Sequence, residues 1–365
     1  MKAAVLYQVN RPLEVCEVEL DPPRKGEVLV RIVAAGICRS DHHYMKGEAI
    51  IDLPAILGHE GSGVVEAVGE GVTRVRPGDH VVLSFAPHCG QCFYCLRGRG
   101  NLCEVSLVQT AGRMFDGTTR LHQGSTRITH MGKVACFAER AVVPETGCIP
   151  IPKDIPMDSA ALIGCCVTTG VGAVINTARI EPGSTVAVVG CGGVGVNVIQ
   201  GARLANAARI IAVDPLEGKL EFAMKFGATD SVNPTAGDPV AAVKALTGGR
   251  GVDYAFEVFG GGDTVKVAFE MTRRGGTTVV VGLAPMGDAA PIDVMALARQ
   301  EKTLKGSYYG SSVPAVDMPR MVEMYRAGMI SIDDQITRRY SLDQINRAYA
   351  DLERGDAGRG VIMFN

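Results

Sequence analysis

Residues 185–205 read TVAVVGCGGVGVNVIQGARLA, and this stretch decides the fold of the second half of the chain. An apolar run precedes the glycine pattern G-x-G-x-x-G at Gly190, Gly192 and Gly195, and apolar residues at helical spacing follow it. That order predicts a strand, a tight turn and a helix. Gly190 suits the turn, Gly192 lets the backbone approach a pyrophosphate, and Gly195 lets helix and strand pack closely. The first-turn amides of that helix face the phosphates, where their partial positive charge is useful, and Gly193 and Val194 in the turn are counted with the cofactor-binding residues. Alone the pattern is weak, because glycine-rich turns often serve packing only. Its context strengthens it: Asp214 ends the next apolar run, IIAVD, about 20 residues after Gly195, where a carboxylate accepts from ribose hydroxyls and repels a 2′-phosphate. This predicts NAD in preference to NADP. The plainer reading is that Asp214 opens the turn Asp214-Pro215. Lys219 could reach the same ribose or be a solvated helix-face lysine.

Outward from this stretch the chain has two rhythms. Residues 1 to about 150 read as short strands between turn signals, at 27–34 (EVLVRIVA), 63–68 (GVVEAV) and 80–85 (HVVLSF). Close spacing of that kind suggests an antiparallel, barrel-like domain. From about Met157 apolar strands alternate with helix-period segments at 185–189, 195–205, 210–213 and 219–226, with further strands at 254–257 and 275–283. Such alternation predicts a parallel sheet with crossover helices. The tail, with a helix over 319–327 and a closing segment at 360–364, loses the alternation and is expected to rejoin the first domain.

The run HCGQCFYCLRGRGNLC holds Cys89, Cys92, Cys95 and Cys103. Four thiolates at C-x2-C-x2-C-x7-C can close a tetrahedron around one zinc ion. A disulfide reading competes poorly, since the total of 11 cysteines is odd and no secretory segment is evident. A four-thiolate cage leaves no open position, so its zinc is expected to be structural.

Composition is that of an ordinary water-soluble protein: 47% hydrophobic, 21% charged, net charge −2 over 365 residues. That length predicts two domains. The near-balance of charge gives no reason to expect a nucleic acid or an anionic membrane as partner. No stretch reads as ~18 consecutive apolar residues, so no membrane span is expected. Thiol-rich composition points to a reducing cytoplasm.

Other candidate metal ligands are scattered: Cys38 in GICRSDHH, His59 and Glu60 in GHEG, and Cys165 in IGCCVTTG. Spacing alone does not join them. Together with GHEGSGVVEAVGEGV, the four-cysteine run, DGTTR, GCGGVG and GRGVIMF, however, the chain resembles the zinc-dependent medium-chain alcohol dehydrogenases over essentially its whole length, in the extended form that carries the structural-zinc lobe. The resemblance implies a GroES-like β-rich catalytic domain at 1–169 and 308–365, with the lobe at about 87–105. It implies a Rossmann NAD-binding domain at 170–307. Cys38, His59 and Cys165 match the ligands of a catalytic zinc, and Glu60 a carboxylate that stands near or replaces the water ligand. Asp41 matches the acid that orients the ligating imidazole. Ser40 and His43 match a proton relay, with His42 beside it as the other imidazole to consider. Arg39 and Arg359 match cations on the cofactor pyrophosphate, and Thr169 and Val194 flank the nicotinamide. Cys166 reads as a small packed thiol. His80, His88, His122 and His130 carry no assigned role.

The implied reaction is reversible hydride transfer between a primary alcohol, aliphatic or aromatic, and NAD. Zinc would polarise the substrate oxygen, and the proton would leave through Ser40, the nicotinamide ribose and His43. By position Ala49, Phe85, Val108, Met131, Leu283 and Tyr308 would line a largely apolar pocket. Relatives acting on glutathione-bound formaldehyde carry acids in the segment before the histidine ligand. Here Glu48 and Asp52 flank an apolar Ala49-Ile50-Ile51, which disfavours a thiol adduct. A thiol-adduct or polyol dehydrogenase is the enzymatic alternative, and an NAD-binding zinc scaffold without catalysis is the third. Some bacterial relatives retain NAD through the catalytic cycle, and either behaviour is compatible with these residues. A homodimer is expected, with a tetramer as the alternative.

Overall fold

A computed structural model describes residues 1–364 of the chain. Two compact units emerge: Met1–Cys165 with Ser312–Arg354 and the segment from Arg359 on, and Cys166–Ser311 with Gly355–Gly358. The short Gly355–Gly358 segment thus belongs to the second unit, where the sequence reading placed it in the first. It packs there because Leu216 and Lys219 lie beside Gly355.

The first unit is β-rich. Its larger sheet has seven strands, with Glu27–Gly36 at the centre, bonded to Gly61–Val68, Arg140–Pro144 and Arg359–Met363. Those pairings are antiparallel, and the closing strand Arg359–Met363 does rejoin the first half of the chain. Only Ile336–Tyr340 runs parallel to its neighbour in this sheet. Period-two alternation explains the central strand. Val28, Val30 and Ile32 point into the core while Arg31 pairs outward with Glu66. A second sheet joins Lys2–Leu6, Ala55–Ile56 and Thr126–His130 with Glu14–Glu17, Glu19–Leu20 and Leu121–Gln123. Burying each Val or Ile side chain of this core contributes about 1.5–3 kcal/mol.

The second unit carries a six-stranded parallel sheet. Its order is Asp230–Val232, Arg209–Val213, Thr185–Val189, Val252–Glu257, Thr272–Val280, Thr303–Gly306. Counted along the chain this is 3-2-1-4-5-6, the doubly wound order whose switch point lies beside the first strand. Both faces are covered. Val186 and Val188 pack with Val198, Ile199 and Ala202 on one side, while Ala187 and Val189 pack with Val243, Ala268 and Met271 on the other. The two central strands Thr185–Val189 and Arg209–Val213 are accordingly near-continuous apolar runs. The predicted helix at 195–205 is Gly193–Leu204, and that at 219–226 is Glu217–Lys225.

One helix bears on the expectation that no segment spans a membrane. Met157–Ala178 forms a helical run of mean hydropathy 1.6, long and apolar enough to cross a membrane. Thr and Asn residues interrupt its composition, which hid it from a count of consecutive apolar residues. Its most apolar window is 89% buried inside the protein, which makes it a core helix. It includes the π-helical segments Ile163–Val167 and Ala173–Ala178, a geometry often found at functional sites.

Candidate active site

Two donor clusters assemble in the first unit. Cys38, His59, Glu60 and Cys165 are all buried, with ligand atoms within 4.8 Å of one another. Cys38 ends the loop after the central strand and is the N-cap of the helix Arg39–Met45. His59 and Glu60 precede the neighbouring strand Gly61–Val68. Cys165 comes from the π-helical segment Ile163–Val167. Two adjacent strands thus bring together residues that no spacing rule would join.

The electrostatics suit a metal. A hydrogen bond from Cys165, then the charge on His59, hold the Cys38 thiol well below its ordinary range despite burial. Burial alone would push the His59 imidazole down, but the Asp41 and Cys38 charges override it and raise it well above 6.5. His59 Nδ1–H donates to Asp41 Oδ1 at 3.0 Å, leaving Nε2 for a metal. Two thiolates and an imidazole, with a carboxylate beside them, form the soft donor set that catalytic zinc uses. The residues fit the ion.

Arg359 is buried and donates to both Glu60 and the Ile37 carbonyl. The cation expected on a pyrophosphate is thus engaged with the carboxylate of the metal site. Arg39 is exposed.

Cys89, Cys92, Cys95 and Cys103 form the second cluster, also within 4.8 Å. Backbone N–H of Cys95 is the main cause bringing the Cys92 thiol down to about 6, which favours the thiolate a metal requires. The Cys89 and Ser106 amides donate to Cys103 Sγ. The donor set and its amide partners suit a closed, structural zinc.

The helix Arg39–Met45 also carries the relay candidates. Ser40 Oγ lies 3.8 Å from Cys38 Sγ. His43 Nδ1 is 2.5 Å from Glu48 Oε2. His42 points elsewhere: its Nε2 is 2.8 Å from Glu353 Oε1, and its ring stacks on Tyr349 at 6.0 Å. The sequence reading missed Glu48 as a partner. Its signal was the Gly47-Glu48 pair just past the helix end.

Of the pocket candidates, Phe85 stands edge-on to His59 with ring centroids 5.2 Å apart. The turn at Met131-Gly132 lies against Phe85, since a Cβ on Gly132 would come within 2.9 Å of Phe85 Cβ. Ala49 is adjacent to Glu48 on the loop after the helix, and Val108 is 75% exposed. Leu283 and Tyr308 belong to the second unit.

In the second unit the glycine turn follows the first sheet strand. Gly190 adopts φ +98°, and a Cβ on Gly195 would lie 1.9 Å from the Gly190 carbonyl oxygen. A Cβ on Gly192 would meet no protein atom within 4 Å. Gly192 is exposed at the helix N-terminus, with Gly193 and Val194 partly so. Asp214 is buried and accepts from the Cys191 amide at 2.9 Å and the Leu216 amide at 3.0 Å. The turn reading and the ribose reading of Asp214 therefore coexist, since each carboxylate oxygen keeps a further lone pair. Thr169 is buried in the helix segment Thr168–Gly172, whose Gly170 approaches the Val194 carbonyl. A cradle open at Gly192 and closed at Gly195 suits a dinucleotide.

Residues 24–153 match the alcohol dehydrogenase GroES-like domain, and residues 193–327 match the zinc-binding dehydrogenase family. The NDMA-dependent alcohol dehydrogenase of Amycolatopsis methanolica is 42% identical, covering 100% of this chain and 99% of that protein. An S-(hydroxymethyl)glutathione dehydrogenase of Escherichia coli O1:K1 / APEC is 40% identical over 100% of this chain and 99% of its own. The crystal structure of benzyl alcohol dehydrogenase from Acinetobacter calcoaceticus superposes with a TM-score of 0.94 at 33% identity, covering 100% of this chain and 99% of that one.

Proposed function

Because the chain belongs to the zinc-dependent medium-chain alcohol dehydrogenase family, we propose that it oxidises primary, apolar alcohols to aldehydes, reversibly, with NAD. The observation that carries this reading is the buried Cys38–His59–Glu60–Cys165 donor set. When bound, zinc supplies Lewis-acid polarisation of an alcohol oxygen and NAD supplies the hydride acceptor. Cys38, His59 and Cys165 would hold the metal. Asp41 fixes the His59 ring, and Arg359 holds Glu60 at its side. Ser40 Oγ would take the hydroxyl proton, and His43 would carry it toward solvent. Gly190, Gly192, Gly193, Val194 and Gly195 would cradle the pyrophosphate, and Asp214, with Lys219 near it, would meet the ribose.

Phe85 beside His59, with Met131 next to it, supports an apolar alcohol. The acids Glu48 and Asp52 are each engaged, with His43 and Arg113 respectively, which weakens the case for a thiol-adduct substrate. The second reading, an S-(hydroxymethyl)thiol dehydrogenase, is favoured by the Escherichia coli relative's name. Metal counting with an NADH absorbance assay on a panel of alcohols, with and without added glutathione and formaldehyde, separates the two. Two zinc ions per chain, alcohol-dependent NADH formation and its loss in Cys165→Ala are expected. One zinc and no turnover would sink both. Turnover with NDMA and none with free NAD would move the chain to the behaviour named for the Amycolatopsis relative.

A homodimer in the cytoplasm completes the proposal, with a tetramer as the alternative. The exposed strand Thr303–Gly306 ends the parallel sheet and could pair across a two-fold axis. Among the described residues no two of the eleven cysteines are joined in a disulfide, which suits a reducing compartment. Light scattering on the purified chain tests the assembly.

A further inference from the structure

The helix Arg39–Met45 ends in a Schellman motif. The Gly47 amide bonds the Tyr44 carbonyl at 3.1 Å, and the Glu48 amide bonds the His43 carbonyl at 2.9 Å. Gly47 adopts φ +72°, the left-handed conformation that this cap requires. In such a cap the residue just past the glycine folds back over the residue in the last turn to which its amide bonds, and the contact between their side chains is ordinarily apolar. Here the two side chains are Glu48 and His43. The apolar contact is replaced by a 2.5 Å hydrogen bond between Glu48 Oε2 and His43 Nδ1. His43 is 12% exposed at its side chain and Glu48 40%, so the acid reaches inward from the surface to a mostly covered ring.

A neutral imidazole carries its proton on one nitrogen, and the hydrogen bond made by one nitrogen decides the state of the other. A carboxylate on Nδ1 holds the proton there and frees Nε2 as an acceptor, as the buried acid does for the histidine of a serine hydrolase triad. We propose that Glu48 is a positioning residue for the proton relay: through the helix cap it fixes His43 as the Nδ1–H tautomer, so that Nε2 is the basic nitrogen turned to the incoming proton. The inference rests on the relay reading for its functional consequence, while the tautomer itself is independent of that reading. His42, one residue away, is bonded to a carboxylate through its other ring nitrogen, Nε2 to Glu353, and stacks on Tyr349.

Protein labelled with [15N]histidine reports the tautomer directly by the ring-nitrogen shifts, observed near pH 8.5 where an unperturbed imidazole is neutral. His43→Gln assigns the signal. In the wild type the Nδ1–H form is expected. Glu48→Leu should shift His43 toward the Nε2–H form, and Glu48→Gln, whose amide oxygen still accepts from Nδ1, should retain the wild-type form. With zinc content unchanged, kcat for the alcohol should fall ~10-fold in Glu48→Leu, a fraction of the 10²–10⁴ that a general base contributes. Glu48→Gln should recover most of it, added imidazole buffer should rescue Glu48→Leu, and KM for NAD should not move. Unchanged His43 shifts in Glu48→Leu would overturn the inference, as would an equal kcat loss in the Gln and Leu variants. If His43→Gln itself turns over like the wild type, the relay reading fails, and the nitrogen shifts still decide the role of Glu48.

Discussion

Asp41 Oδ1 receives both the Nδ1 proton of His59 at 3.0 Å and the Gly58 amide at 2.9 Å. One fully buried acid therefore sets the orientation of the ligating ring and pins the loop that carries it. Partners of this kind are worth about 10–100-fold in metal affinity. Asp41→Ala should lose zinc from the Cys38–His59–Cys165 site at least 10-fold faster under chelator challenge. Asp41→Asn, which keeps an acceptor oxygen, should fall between. The zinc at the four-cysteine cluster should leave at its wild-type rate in both. A single unchanged release curve for Asp41→Ala would show that His59 needs no such support.

The two neighbouring histidines separate by their partners. His42 Nε2 is bonded to Glu353, and Lys46 lies 2.7 Å from the same carboxylate. Hydrogen bonds from Lys46 and then His42 keep the Glu353 carboxyl below its ordinary value. His42→Gln should accordingly preserve the pH profile of kcat. His43→Ala should slow turnover chiefly below neutral pH and respond to added base. Steady-state rates from pH 5.5 to 9 check this, and the reverse pattern would make His42 the end of the relay.

The parts of this architecture that read well from sequence are those whose partners are near in the chain. Gly190–Gly195 and Cys89–Cys103 each close a site within about 15 residues, so spacing carries the geometry. Cys38, His59 and Cys165 are joined only because their strands and the π-helical segment converge, and resemblance was needed to connect them. Glu48 escaped because its role depends on the handedness of one glycine. Arg359 was readable as a cation but not as the partner of Glu60, since strand Arg359–Met363 reaches its neighbour from the far end of the chain. The run Met157–Ala178 escaped because its polar residues face other buried groups, as Thr177 does with Ser307 and Ser311.

His130, which carried no role in the sequence, is expected to contribute to the loss of stability in acid. It is fully buried, its Nε2 accepts the Arg120 amide at 3.0 Å, and its Nδ1 finds no partner among the described residues. Burial, then the Arg120 and Lys133 charges, push its pKa down to about 3. Below pH ~6.5 the unfolded chain gains a proton that the folded chain refuses until about pH 3. Stability is thus lost as pH falls across that window, by about 1.4 kcal/mol per pH unit from this group. His130→Gln should lower stability at pH 7 yet flatten the acid limb. Urea midpoints at pH 7, 6, 5 and 4.5 measure it, and parallel pH slopes for the two proteins would refute it.

Gly192 and Gly195 test the cofactor independently of the substrate. A Cβ on Gly195 would sit 1.9 Å from the Gly190 carbonyl oxygen, whereas a Cβ on Gly192 would touch nothing in the protein. Gly192 has φ −75°, so no backbone requirement demands glycine there either. Neither packing nor φ demands glycine at 192, and a dinucleotide whose pyrophosphate needs the backbone close would. Gly195→Ala should therefore destabilise the fold by about 1–3 kcal/mol through overpacking. Gly192→Ala should leave the thermal midpoint within about a degree of wild type while weakening NAD binding at least 10-fold, since a methyl group would displace the pyrophosphate from the helix amides. Calorimetric titration with NAD and with NADP, alongside thermal melts, reads both effects. The wild type should prefer NAD, because a 2′-phosphate would approach the Asp214 carboxylate. Undiminished NAD affinity in Gly192→Ala would place the dinucleotide elsewhere.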